Sequence, residues 1–129
     1  MATRRKILVA DDDPSIREIL AIQLTRLGYE VHVAADGQET LEAYEAEKPD
    51  LVILDVMMPL LDGLRVCRKI RALEKKSGGR VPVLFLTARD TRHDKTSAAL
   101  SGGDDFVAKP VSLQDLRERV ELALGKARP

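Results

Sequence analysis

Four places in the chain carry residues that can do chemistry, and each follows an apolar run. Asp11-Asp12-Asp13 comes after Lys6-Ile-Leu-Val-Ala10, and Asp55 after Leu51-Val-Ile-Leu54. Thr87 comes after Pro82-Val-Leu-Phe-Leu86, and Lys109 after Asp105-Phe-Val-Ala108. Carboxylates gathered at one point repel one another unless a cation joins them. Hard oxygen donors with room for water suit Mg²⁺ or Mn²⁺. A lysine supplies a mobile point charge for phosphate oxygens, and a threonine hydroxyl one further donor. This is the inventory of phosphoryl transfer, where catalysis is chiefly positioning and charge neutralisation. A carboxylate can itself be the nucleophile and become an aspartyl-phosphate. Asp55 is the candidate, flanked by Asp11 and Asp12 on one side and Lys109 on the other. Each part has a bland reading: a helix N-cap for the aspartates, a turn for Thr87-Ala88, a loop for Lys109-Pro110. Their joint order and placement argue against coincidence.

The elements that must position these residues follow from the pattern. Leu51 to Leu54 is a run of four apolar residues, half of them β-branched, as expected of a strand buried on both faces. Pro59 cannot continue the ladder. Lys6–Ala10, Glu30–Ala34, Pro82–Leu86 and Asp105–Ala108 read as four further strands. Between them lie helical patterns. The first has Pro14 at its start with Asp13 as N-cap, and Ile16, Ile19, Leu20, Leu24 and Leu27 recur at helical spacing before Gly28. The second carries Leu41 and Tyr44 and closes before Pro49. The third starts at Asp62-Gly63 and runs to about Leu73, with Leu64, Val66, Cys67 and Ile70 inward and Lys75 to Arg80 as a polar turn. Thr91 to Ser101 is a weak fourth helix with few large apolar residues. Ser112 to Leu124 is the fifth, with Leu113, Leu116, Val120 and Leu124 on one face and a capping-box-like start from Ser112 to Asp115. Five alternating strands and helices imply an α/β parallel sheet with helices on both faces. Asp11, Asp12, Asp55, Thr87 and Lys109 then share the C-terminal edge of that sheet, where ligands bind in such folds.

Composition sets the outer limits. With 129 residues, 44% hydrophobic and 33% charged, the chain is expected to form one globular domain. Lysine plus arginine and aspartate plus glutamate both number 21, so no general attraction to nucleic acid or membrane is expected. No stretch approaches the roughly 18 apolar residues of a membrane span. Arg4-Arg5-Lys6 reads as a solvated end. Cys67 is the single cysteine, which excludes an internal disulfide and fits a reducing cytoplasm.

Taken as a set, Ile7-Leu-Val-Ala-Asp11-Asp12, Leu54-Asp55-Val-Met-Met-Pro59 with Asp62-Gly63, Leu86-Thr87-Ala88 and Asp104-Asp-Phe-Val-Ala-Lys109-Pro110 are highly specific. From about Lys6 to Leu124 the chain resembles the receiver domain of two-component response regulators, of the kind found in chemotaxis regulators. The resemblance implies a flavodoxin-like (βα)5 fold with strand order 2-1-3-4-5. It implies that Asp55 accepts phosphate from a phosphohistidine on a sensor histidine kinase or phosphotransfer protein. Asp12 would bind Mg²⁺ directly, Asp11 mostly through water, and the Met57 backbone carbonyl would complete the protein ligands. Thr87 and Lys109 would contact the phosphoryl group, with Thr87 and Phe106 as the switch pair. The implied setting is a bacterial, cytoplasmic phosphorelay in which the domain assists its own phosphorylation and dephosphorylation without being an enzyme. The implied output is a change on the face of helix four, strand five and helix five, read by a downstream partner or fused effector, with a dimer through that face. Residues 125–129 are either a tail or the start of a linker. Two features depart from the commonest pattern. Leu60-Leu61 replaces a small residue and Met in the loop after Pro59. Arg89, two residues after Thr87, places a cation at the rim as a modulator of phosphoryl lifetime.

Two competing readings have residues behind them. A haloacid-dehalogenase-type phosphohydrolase uses an Asp-x-Asp after its first strand, which Asp11-Asp12-Asp13 satisfies. In such enzymes the lysine precedes a second acidic motif, whereas here Asp104-Asp105 precedes Lys109, and there is no room for a cap domain. A pseudo-receiver signals without phosphate but lacks part of the acid and lysine set, which is intact here.

Overall fold

The computed structural model describes residues 4–87, 96–99 and 101–125. Strands β1 (Lys6–Ala10), β2 (Glu30–Ala34), β3 (Leu51–Leu54), β4 (Val83–Thr87) and β5 (Asp105–Ala108) alternate with helices α1 (Pro14–Arg26), α2 (Gly37–Glu47) and α3 (Gly63–Ser77), then a helical stretch α4 (96–99) and α5 (Leu113–Ala123). All pairings are parallel, and the sheet order is β2-β1-β3-β4-β5. This is the expected flavodoxin-like arrangement.

Alternation along each strand divides the core in two. Leu8, Val52, Leu54 and Phe85 face Val66, Cys67 and Ile70 of α3 on one side of the sheet. Ile7, Val9, Leu51, Ile53 and Leu84 face Leu20 and Leu24 of α1 and Leu116 and Val120 of α5 on the other. The central strands are buried on both faces, which is why they read as unbroken apolar runs. Each fully buried Leu or Ile contributes about 1.5–3 kcal/mol, so the sheet's C-terminal edge rests on a rigid base. Cys67 is fully buried, and burial pushes its thiol pKa up to about 11, so it serves as packing.

The helix starts are as the sequence indicates. Asp13 accepts from Ser15 N–H at the head of α1, with Pro14 in the first turn. Asp62 caps α3 through Arg65 N–H, and Ser112 caps α5 through Asp115 N–H. The second half of the expected capping box is replaced, because the Asp115 carboxylate pairs with Arg119 at 3.1 Å.

Three expectations need correction. Helix α3 continues four residues past Leu73, through Ser77, so Lys75 and Lys76 lie in its last turn rather than in a polar loop. The cause is Glu74, only 8% exposed, which accepts Val81 N–H at 2.6 Å and pairs with Arg71 at 2.9 Å. A buried carboxylate with both partners makes the extra turn part of the fold. Ile19 is not in the core but 53% exposed, and Leu113, at the first position of α5, is 47% exposed. Strand β4 is shifted by one residue and includes Thr87.

Candidate functional site

The strand ends place the acidic and basic groups together. Asp11 follows β1 directly; its N–H donates to Ala34 O at 3.2 Å, tying the end of β1 to β2. Asp55 follows β3, and its N–H donates to Ala10 O at 2.9 Å. Both residues are buried, at 2% and 4% exposure, while Asp12 is exposed. Carboxylate oxygens of Asp11, Asp12 and Asp55 all lie within 4.8 Å of one another. Lys109, following β5, sends its Nζ to Asp11 Oδ2 at 2.6 Å and to Asp55 Oδ2 at 3.4 Å. Thus residues 98 and 54 positions apart in sequence meet at one point of the sheet edge.

Local hydrogen bonds aim these groups. Asp13 N–H donates to Asp11 Oδ1 at 2.9 Å, and Met57 N–H donates to Asp55 Oδ1 at 3.2 Å. The start of α3 is pulled against the end of β3, where Gly63 N–H donates to Val56 O at 2.9 Å. A Cβ at Gly63 would lie 2.1 Å from the Asp55 carbonyl oxygen, so only glycine permits that approach. One contributor escaped sequence reasoning. Arg17, in the first turn and a half of α1, donates from Nη1 to the Asp11 carbonyl at 2.7 Å and steadies the loop that carries the aspartates. The signal available for it was weak: a cation one helical turn beyond the Pro14 start.

The electrostatics follow from burial and crowding. Burial is the first cause that raises the Asp55 pKa, to about 6, and the charge of Asp11 adds to it; Lys109 and the Met57 N–H pull the other way. Burial works against the Lys109 ammonium, but the hydrogen bond it donates to Asp11 and the charges of Asp55 and Asp11 outweigh it and raise its pKa. The site therefore carries more negative charge than its lysine neutralises. An all-oxygen donor set with surplus negative charge fits a small, hard divalent cation.

The other expected site residues are placed as follows. Thr87 closes β4 in register with Ala108, at the same sheet edge; its side chain lies outside what the structure describes. Arg89 also lies outside the described residues. Phe106 is partly buried and packs against the α3-side core, in register with Phe85. Met57 is 54% exposed in the loop after Asp55. Leu60, in the same loop, is 83% exposed and has a φ of 71°, a left-handed conformation unfavourable for a leucine. Leu61 packs inward against Gly37, whose added Cβ would lie 2.3 Å from the Leu61 carbonyl oxygen.

Comparison with known proteins agrees with this geometry. A family model described as the response regulator receiver domain matches residues 7–121. The response regulator MprA of Mycolicibacterium vanbaalenii is 43% identical over 124 residues, covering 96% of this chain and 52% of that protein. The chain thus spans about half the length of the curated relatives it matches. The BeF3-activated N-terminal receiver domain of Klebsiella pneumoniae RstA superposes with a TM-score of 0.85 at 31% identity, covering 93% of this chain and 98% of that one. The receiver domain of sensor histidine kinase PA1611 from Pseudomonas aeruginosa, described with a magnesium ion coordinated in its active-site cleft, gives 0.86 at 31% identity, covering 95% and 99%. With the sheet order, the acidic cluster and the lysine contact in place, these matches show that the chain belongs to the response regulator receiver domain family.

Proposed function

We propose that Asp55 is the phosphoacceptor of this receiver domain and that its donor is a phosphohistidine on a sensor histidine kinase or phosphotransfer protein. The observation that supports this most is the meeting of Asp11, Asp55 and Lys109 at the edge of a rigid parallel sheet. A carboxylate oxygen of Asp55 attacks phosphorus, the P–N bond to the donor imidazole breaks, and an acyl phosphate forms. The Asp55 oxygen is held for attack by the Met57 N–H on its other oxygen. Lys109 faces both buried acids, so its ammonium is placed to shift from carboxylate to phosphoryl oxygen as charge develops. Thr87, at the neighbouring strand end, supplies a hydroxyl for another phosphoryl oxygen. Asp11, Asp12, Asp55 and the backbone carbonyl of Met57 would hold Mg²⁺, with Mn²⁺ as a substitute. The ion, when bound, supplies charge neutralisation for the crowded acids and the incoming phosphoryl group.

In this reading residues 1–129 are a single receiver domain with a core of about 6–124. The domain assists its own phosphorylation and dephosphorylation and carries no separate enzymatic activity. Its setting is the cytoplasm. Thr87 and Phe106 form the switch, and the face of α4, β5 and α5 carries the change to a downstream protein or fused effector, with dimerisation through the same face. Arg89 modulates phosphoryl lifetime from the rim. Among the described residues, no helix is long and apolar enough to cross a membrane.

Incubation with acetyl phosphate or phosphoramidate, followed by intact mass, separates this reading from its rivals. A stable addition of one phosphoryl group that requires divalent metal supports the receiver. Turnover of the donor through Asp11 supports a hydrolase, and no addition supports a phosphate-independent pseudo-receiver.

A further inference from the structure

A second group of metal-type ligands lies outside the phosphoacceptor site. Glu30 and His32 are two residues apart on β2, so their side chains leave the same face of that strand. Glu47 ends α2 and meets them there. His32 Nε2 is 2.7 Å from Glu30 Oε2 and 3.4 Å from Glu47 Oε1. The three ligand atoms all lie within 4.8 Å of one another. All three residues are half-buried. Glu30 pairs in register with Lys6, at the start of β1, while the acidic cluster follows the end of β1. The two groups are therefore at opposite ends of the strands.

The geometry is close to what one imidazole and two carboxylates adopt around a first-row divalent ion. Metal–ligand bonds of about 2.0–2.2 Å in a tetrahedral shell put neighbouring donor atoms about 3.3–3.6 Å apart. The His32–Glu47 separation already lies in that range. The His32–Glu30 separation is a hydrogen bond that opens by at least about 0.6 Å when an ion replaces its proton. The spot also attracts positive charge already. The last turn of α2 contains no basic residue, yet Lys6 crosses from β1 to place its Nζ 3.7 Å from Glu47 Oε1 and to donate to the Glu47 carbonyl at 3.3 Å. A helix C-terminus favours a cation in that position. Strand β2 is the edge of the sheet, which leaves one side open for an ion and its waters to approach.

We propose that Glu30, His32 and Glu47 form a second cation site, selective for an imidazole-binding ion such as Zn²⁺, that fastens the end of α2 to the edge strand. The alternative is a His32 ring hydrogen-bonded between two carboxylates, with Lys6 beside it. The two readings differ in one respect: the ion site requires the Nε2 lone pair, which Mg²⁺ does not seek and Zn²⁺ does. Selectivity between the two sites follows from their donor sets. Three aspartates offer only oxygen, whereas this group offers one nitrogen and two oxygens.

The test is titration of the full chain with Zn²⁺ by calorimetry, in excess Mg²⁺ so that the acidic cluster is filled. The same sample is followed by ¹⁵N-resolved NMR and by thermal melting. The expected result is one Zn²⁺ per chain, with amide shifts at residues 30–32 and 46–48 and a rise in Tm. His32→Gln and Glu47→Gln should each weaken the binding at least tenfold and abolish the rise in Tm, while His93→Gln changes neither. Both positions are half-exposed, so the variants should fold, and circular dichroism verifies this. Absence of binding up to millimolar Zn²⁺ would overturn the proposal. So would affinity unchanged in His32→Gln, or shifts centred on Asp11, Asp12 and Asp55.

Discussion

Removing the Asp55 charge should stabilise the metal-free protein, and the gain should depend on pH in a defined window. Burial and the neighbouring Asp11 raise the Asp55 pKa from 3.8 to about 6 in the folded protein. A carboxyl with a raised folded pKa binds its proton more tightly when folded than when unfolded. The Asp55 contribution to stability is therefore fully present below about pH 4, falls as pH rises through the interval to about 6, and is lost above it. Two units at about 1.36 kcal/mol each give about 2–3 kcal/mol. Asn is close in shape to the protonated Asp and lacks the titration, so Asp55→Asn should match the parent near pH 4 and exceed it by about 2–3 kcal/mol at pH 7.5. Lys109 keeps its 2.6 Å partner Asp11 in the variant, so no buried cation is stranded. The assay is urea denaturation of both proteins in chelator, from pH 4 to 8, with the difference plotted against pH. Subtracting the curves cancels the titration of other carboxylates. Mg²⁺ at ten times its Kd should return about 1.4 kcal/mol to the parent and less to the variant. A difference that stays flat with pH, or a variant less stable than the parent at pH 7.5 in chelator, would refute the crowded-acid reasoning.

Three further outcomes follow from single residues. Glu74→Ala should cost about 2–4 kcal/mol by urea denaturation, because Arg71 and the Val81 N–H both lose a buried partner. Leu60→Asn should stabilise by about 0.5–1 kcal/mol, since asparagine tolerates a φ of 71° and an 83%-exposed side chain surrenders little burial; a loss in stability would show that Leu60 is held by contacts in solution. Arg89→Ala should speed loss of the phosphoryl group severalfold, about 1 kcal/mol or less of barrier, measured as decay after donor removal at fixed Mg²⁺; an unchanged rate would make Arg89 a solvated rim residue, and a slower one would make it an activating group.

Much of the fold was legible because the strongest signals are strand signals. Buried parallel strands are short apolar runs, and β1, β3 and β5 are each followed by a charged residue that breaks the run. Those ends put Asp11, Asp55 and Lys109 on one edge of the sheet, and the structure brings them within hydrogen-bonding reach. Periodicity located the helices but not every inward residue. Ile19 has the right spacing, yet it lies toward the rim of α1's apolar stripe and is exposed, a distinction that depends on how α1 is set on the sheet. Helix α3 outruns its apolar spacing because Glu74 is a surface residue by type, and only its partners, Arg71 one turn back and the Val81 N–H beyond the helix end, account for its burial. Arg17 was illegible for the same reason, since its partner is a backbone carbonyl and leaves no mark in the sequence. The Glu30–His32–Glu47 group joins a strand to the far end of the next helix, and nothing in local spacing announces it.

The central claim is that Asp55 carries the phosphoryl group, and the most direct measurement traps it there. After reaction with phosphoramidate and Mg²⁺, borohydride reduction converts an aspartyl-phosphate to homoserine, and peptide mass spectrometry locates the change. The account predicts homoserine at position 55 alone, none when chelator replaces Mg²⁺, and none in Asp55→Asn. Homoserine at position 11 or 12, or an equal yield in chelator, would contradict it.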